Sequence, residues 1–123
     1  MNIKIKSLDT HGQDYEENFE LVKTVALKGC KEYHYNDKNG KNRIVRKHDS
    51  VEIFRQGEIN SKQIFRLYEK TSFMYITKEF KGKYEIFTKK MDINDGKILL
   101  EYDIIYGNEI MNSIKLEIIY FKI

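Results

Sequence analysis

Short runs of alternating apolar and polar residues, separated by Asn, Asp and Gly turn signals, constrain this chain more than any other feature. Turn signals stand at DKNG (37–40), KG (81–82), NDG (94–96) and YGNE (106–109), and Asn, Asp and Gly accept the positive φ that tight hairpins demand. Between them Ile98, Leu100, Tyr102, Ile104 and Tyr106 share one face, and Ile110, Ile114, Leu116, Ile118 and Tyr120 share another. Ile3/Ile5, Phe19/Leu21, Val25/Leu27, Tyr33/Tyr35 and Val51/Ile53 repeat the pattern upstream, and the run from Ile64 to Leu67 joins it. These intervals are too short for a parallel crossover, so neighbouring strands must be antiparallel. One segment, DYEENFELVKT (14–24), also places Tyr15, Phe19 and Val22 at helical spacing. The competing alternation of Phe19, Leu21, Val25 and Leu27 favours strand. Strands are predicted near 2–8, 18–28, 30–36, 42–47, 51–56, 62–69, 72–80, 83–92, 97–106 and 110–121. The class is all-β, a single antiparallel up-and-down barrel of about 8–10 strands. A barrel is preferred to a sandwich because closure removes exposed strand edges.

The 123 residues fit one domain, 1–123, long enough to bury roughly two-thirds of the surface an unfolded chain exposes. No uncharged run approaches the ~18 residues of a membrane helix, and the N-terminal residues lack an apolar leader core. A cytoplasmic protein without membrane association is expected. One cysteine, Cys30, excludes an internal disulfide and is read as a small strand residue rather than a nucleophile.

The stretch FMYITKEFKGKYEIFTKK (73–90) turns at Lys81-Gly82 and puts Phe73, Tyr75, Thr77, Tyr84, Ile86 and Thr88 on one face. Such a face is half apolar and half hydrogen-bonding, which suits a polar interior better than a dry core. If Asn94-Asp95-Gly96 forms a three-residue loop, Thr88 faces Tyr102; a two-residue Asp-Gly turn would set it beside Asp103. In VEIFRQG, Arg55 shares the face of Val51 and Ile53, and an inward guanidinium needs acceptors or an anion. The candidate lumen residues are therefore Arg55, Tyr75, Thr77, Tyr84, Thr88 and Tyr102.

The block VEIFRQGEINSKQIF (51–65), followed by Tyr75-Ile76-Thr77, EIFTKK (85–90) and KILLEYDI (97–104), resembles the YwiB-like family of uncharacterised bacterial proteins. The matching positions are Val51, Ile53, Arg55, Gly57, Phe65, Tyr75, Thr77, Thr88, Leu100, Tyr102 and Ile104. Two departures stand out. Relatives often carry a Tyr-Gly after the Tyr-x-Thr element, where this chain has Glu79-Phe80, and many show a Tyr-x-Glu where it has Tyr35-Asn36-Asp37. The resemblance implies a calycin-like (lipocalin-like) β-barrel able to hold a small ligand, and it implies no activity.

Catalytic signatures are absent: no Gly-rich phosphate loop, G-x-S-x-G, C-x-x-C or H-E-x-x-H occurs. Glu101, Asp103 and Glu117 fall on the outer face of the C-terminal strands and form no interior acid–base pair. His34 and His48 flank one hairpin without diagnostic metal spacing. No enzyme activity, cofactor or metal is expected. The net charge of +3 is small, yet residues 38–48 hold Lys38, Lys41, Arg43, Arg46 and Lys47 with no acid. Three readings remain open: an interior filled by its own side chains; a lumen that binds a small amphipathic or anionic ligand; and an outer-face nucleic-acid or protein module using the basic segment beside Tyr33 and Tyr35. Nucleic acid is the less expected partner, and the chain is expected to be a monomer or homodimer.

Overall fold

The computed structural model describes residues 1–120, and they contain strands and turns without a helix. The strands are β1 (Asn2–Asp9), β2 (Asp14–Leu27), β3 (Cys30–Asp37), β4 (Gly40–Lys47), β5 (Val51–Gly57), β6 (Asn60–Phe65), β7 (Lys70–Ile76), β8 (Lys81–Asn94), β9 (Lys97–Tyr106) and β10 (Glu109–Ile119). Each pairs antiparallel with its chain neighbours, and β1 pairs with β10 to close the barrel. Among the described residues no helix is long and apolar enough to cross a membrane.

Segment 14–24 is strand throughout, so period two prevails over the helical spacing of Tyr15, Phe19 and Val22. Two expected strands are displaced. Instead of 62–69 and 72–80, β6 and β7 span Asn60–Phe65 and Lys70–Ile76 and pair only at Asn60–Ile76 and Ser61–Tyr75. The run from Ile64 to Leu67 read as strand, but the chain turns after buried Phe65. Tyr68 takes φ 61, its N–H donates to the Thr88 carbonyl (2.8 Å), and the Thr71 hydroxyl bonds the Ile64 carbonyl (2.5 Å) where a ladder bond would fall. The expected end of the last strand, residue 121, lies outside the described residues, as do 122 and 123 of the expected domain.

The β8–β9 register corrects one argument and preserves its conclusion. Asn94 pairs with Lys97, so Asp95-Gly96 is a two-residue turn, with Gly96 at φ 89. Thr88 nevertheless pairs with Tyr102, because a bulge between Thr88 and Lys90 absorbs one residue. Lys89 and Lys90 consequently both face outward. Lys89 meets Asp103 at 2.8 Å and Lys90 meets Glu101 at 3.8 Å. Burial alone would raise the Asp103 carboxyl, but hydrogen bonds from Lys89 and Ser113 (2.6 Å) outweigh it and hold the group below its usual range. A second bulge, between Ile110 and Asn112, turns Ile110 to solvent, whereas Ile114, Leu116, Ile118 and Tyr120 keep the expected inward face.

Ile3, Tyr33, Ile44, Val51, Phe65, Ile86, Ile98, Leu100 and Ile118 are all but inaccessible, and each large apolar side chain so buried contributes about 1.5–3 kcal/mol. Much of this packing lies toward the end of the β8–β9 turn. There Tyr33 and Tyr120 rings approach to 4.3 Å, the Tyr120 hydroxyl donates to the Asn94 carbonyl (2.9 Å), and the Tyr120 N–H donates to the Gly96 carbonyl (2.9 Å). The opposite end is not filled in this way.

Candidate functional site

A cavity of about 400 Å³ opens at the end of the barrel carrying the β1–β2 and β3–β4 turns. Its deeper wall is apolar, built by Ile5, Phe19, Ile44, Ile53, Ile114, Leu116 and Ile118. Its polar lining is Ser7, Tyr15, Glu17, Tyr35, Asp37, Lys38, Asn39, Asn42, Arg55 and Gln63, together with Tyr102, which is buried against Phe65. Alternation explains the division, since every second residue of β1 to β5 points inward and those nearest the strand ends are the polar ones.

The β3–β4 turn sits against the end of β5 through two facing glycines. Gly40 and Gly57 have φ 139 and 149, and a Cβ on Gly57 would lie 2.3 Å from the Asn39 carbonyl oxygen. That carbonyl accepts the Glu58 N–H at 2.8 Å. The close approach is possible only without side chains, and it holds Asp37 and Asn39 at the rim near Arg55.

Arg55 Nη2 lies 3.7 Å from Asp37 Oδ2, an ion contact too long for a hydrogen bond. Asp37 Oδ1 accepts the Asn39 N–H (2.8 Å). Glu17 Oε2 accepts the Tyr15 hydroxyl (2.6 Å). Burial, then the hydrogen bond to Glu17 and the charges of Glu17 and Asp37, push the Tyr15 phenol up to about 12 despite the opposing charge of Arg55. The same charges act on Tyr35, whose phenol is pushed up chiefly by burial. Glu17, Asp37 and Arg55 therefore converge around two phenols at one mouth. Asn42, opposite Arg55 in the β4–β5 register, is 5% exposed and its Nδ2 has no acceptor.

Of the six residues expected to line the lumen, Arg55 and Tyr102 border this cavity. Thr88 faces inward as expected but is sealed at 0% exposure, its hydroxyl without a partner, and so lies in the packed part. Tyr75 and Tyr84 pack against the core outside the cavity wall, Tyr84 between Phe73 and Tyr106 with both ring centroids at 5.5 Å. Thr77 is corrected: it follows β7 in the turn, where its hydroxyl accepts the Phe80 N–H (3.0 Å) and its own N–H donates to the Phe80 carbonyl (2.7 Å). Strand parity was extended past the strand's end. Tyr15, Glu17, Asp37, Asn42 and Gln63 were not anticipated. Polar residues near strand ends look alike whether they face solvent or a cavity.

The basic segment does not form one outer platform. Arg46 shares the inward face of Asn42 and Ile44, and its charge acts on the Tyr33 and Tyr120 phenols. Tyr33 and Tyr35 are themselves buried. Lys38 stands at the cavity rim and Lys47 pairs with Glu52 (3.0 Å). Lys41 and Arg43 remain on an outer groove, where Arg43 lies 4.0 Å over the Phe54 ring and 3.8 Å from Glu32. The odd–even parity of β4 separates these cations. His34 pairs with Glu32 (3.0 Å) and His48 lies 3.9 Å from Asp49. No group of three His, Cys, Asp or Glu suited to a metal ion occurs among the described residues.

Residues 3–118 match the family described as Domain of unknown function (DUF1934). The barrel is similar to the crystal structure of the ywiB protein from Bacillus subtilis, with a TM-score of 0.77 and 18% identity over 98% of this chain and 89% of that one. This likeness speaks to fold. No curated protein matches the chain.

Proposed function

Because the chain belongs to the DUF1934 family, a domain to which no activity is attached, we propose its role from the barrel itself: non-enzymatic capture of a small amphipathic molecule at the open end. The observation that carries this reading is an apolar-walled cavity of about 400 Å³ whose rim holds a cation, Arg55, with no hydrogen bond among the described residues. Small-molecule sites typically occupy roughly 300–1,000 Å³ and combine apolar walls with a few convergent polar groups. Arg55 would hold an anionic head group by charge-assisted hydrogen bonds, while the Ile and Leu wall takes the apolar body. Charged pairs on the outer face, such as Lys6–Glu16 and Lys97–Glu117, favour an aqueous setting, and we place the protein in the cytoplasm. The outer-face reading has less support, because its cations and rings are divided between inside and outside.

The test is displacement of anilinonaphthalene sulfonate by octanoate, from wild type and from Arg55→Met. Wild type should bind the probe and release it to octanoate. The variant should stay folded, with stability changed by at most about 3 kcal/mol, and bind octanoate at least about tenfold more weakly. A wild type that binds no probe would end the lumen reading.

A further inference from the structure

A carboxylate bound at Arg55 leaves the two acids of the same mouth unexplained. Glu17 has the Tyr15 hydroxyl on one oxygen and no Lys or Arg partner among the described residues. Asp37 spends one oxygen on the Asn39 N–H and presents the other to Arg55 from 3.7 Å. The rim thus carries Glu17 and Asp37 against Lys38 and Arg55, a balanced set in which neither sign is closed off. A plain monoanion drawn to Arg55 would add a third negative charge beside two carboxylates, where like charges repel. A ligand carrying its own cation removes that conflict.

Resting on the lumen reading above, we propose that the ligand is a small zwitterion: its carboxylate on Arg55, its ammonium between Glu17 and Asp37, and its apolar body against Ile5, Ile114, Leu116 and Ile118. An apolar amino acid or a short apolar peptide has this chemistry. Asn42 supplies the independent observation. It lies beside Arg55, 5% exposed, with an Nδ2 donor lacking any acceptor, and a turn of its amide brings that donor to the same carboxylate. Unpaired buried donors are uncommon and costly, so an acceptor at this point satisfies a need the protein alone leaves open. The volume agrees, since about 400 Å³ lies near the small end of ligand sites and suits such a molecule better than a long-chain lipid.

The chain has no tryptophan, so indole fluorescence excited at the red edge of its absorption reports the ligand alone. Three probes separate the charges: tryptophan carries both, N-acetyltryptophan only the carboxylate, and tryptophanamide only the ammonium. Tryptophan should bind about tenfold more tightly than either analogue. Glu17→Gln should erase its advantage over N-acetyltryptophan, and Arg55→Met its advantage over tryptophanamide. If either single-charge analogue binds as tightly as tryptophan, the zwitterion assignment fails and lumen binding stands. The same holds if none of the three binds while anilinonaphthalene sulfonate does. If none of the four binds, both readings fall together.

Discussion

Thr88 lies at 0% exposure with its hydroxyl unpartnered, which makes Thr88→Val a test of how the barrel interior is built. The change replaces a hydroxyl by a methyl of nearly the same size and keeps the β-branched rotamer a strand favours. Thr88 also serves the fold through its backbone, whose carbonyl accepts the Tyr68 N–H at 2.8 Å, and the substitution leaves that bond alone. A buried hydroxyl with no partner costs about 1–3 kcal/mol, so valine should stabilise the protein by about 1–2 kcal/mol. For a chain of this length that is a rise in Tm of roughly 4–8 °C. Urea denaturation should show a higher midpoint with an unchanged slope, the mark of altered stability without altered surface exposure. Ligand affinity should be unaffected, because Thr88 is not part of the cavity wall. Destabilisation by more than about 1 kcal/mol would refute the reasoning, since the hydroxyl must then have a partner such as a buried water. Weakened binding would return Thr88 to the site.

At the Gly40–Gly57 contact, Gly57→Ala would bring a Cβ to 2.3 Å from the Asn39 carbonyl oxygen at a backbone φ of 149. We expect a loss of about 2–4 kcal/mol by chemical denaturation and weaker ligand binding as Asn39 and Asp37 shift; a neutral change would show that the turn is not held by this contact. Burial raises the phenols of Tyr15, Tyr33, Tyr35, Tyr102 and Tyr120 above the ordinary 10.0. A folded pKa above the unfolded one gives stability that is complete below pH 10 and is lost as pH rises through the folded values. Tyrosinate absorbance should therefore lag behind free tyrosine above pH 10 and rise together with loss of the β spectrum.

Parity made the barrel legible. Ile98, Leu100, Tyr102 and Ile104 alternate without interruption, and their neighbours' short turns leave only antiparallel pairing. The Thr88–Tyr102 pairing was also legible, but through a loop length the protein does not use. The true cause was visible in the same stretch: inward residues are even at Ile86 and Thr88 and odd at Met91 and Ile93, so one extra residue must lie between them, at Lys89-Lys90. An alternation that changes parity without a turn is the signature of a bulge. The site was less legible because composition cannot separate a polar rim from a solvated strand end. Arg55 was conspicuous, being charged among Val51 and Ile53. Glu17 stands in the polar stretch DYEEN, where nothing distinguishes its inward direction from the outward one of Glu16, which pairs with Lys6.

The division of the interior also decides which substitutions separate folding from binding. Phe65, Ile86, Ile98 and Leu100 are fully buried and do not line the cavity, unlike the equally buried Ile44 and Ile118, and truncating any of the four removes core packing worth about 2–5 kcal/mol. Arg55 and Glu17 make one 3.7 Å ion contact and one hydrogen bond between them, at a rim where water competes, so the fold draws little from either. Local rules are broken where function resides: a half-buried inward arginine without a hydrogen bond, beside a nearly inaccessible Asn42 amide without an acceptor, is a poor choice for a barrel that only packs. Their convergence at one mouth, above an apolar wall, is the reason we propose a ligand there.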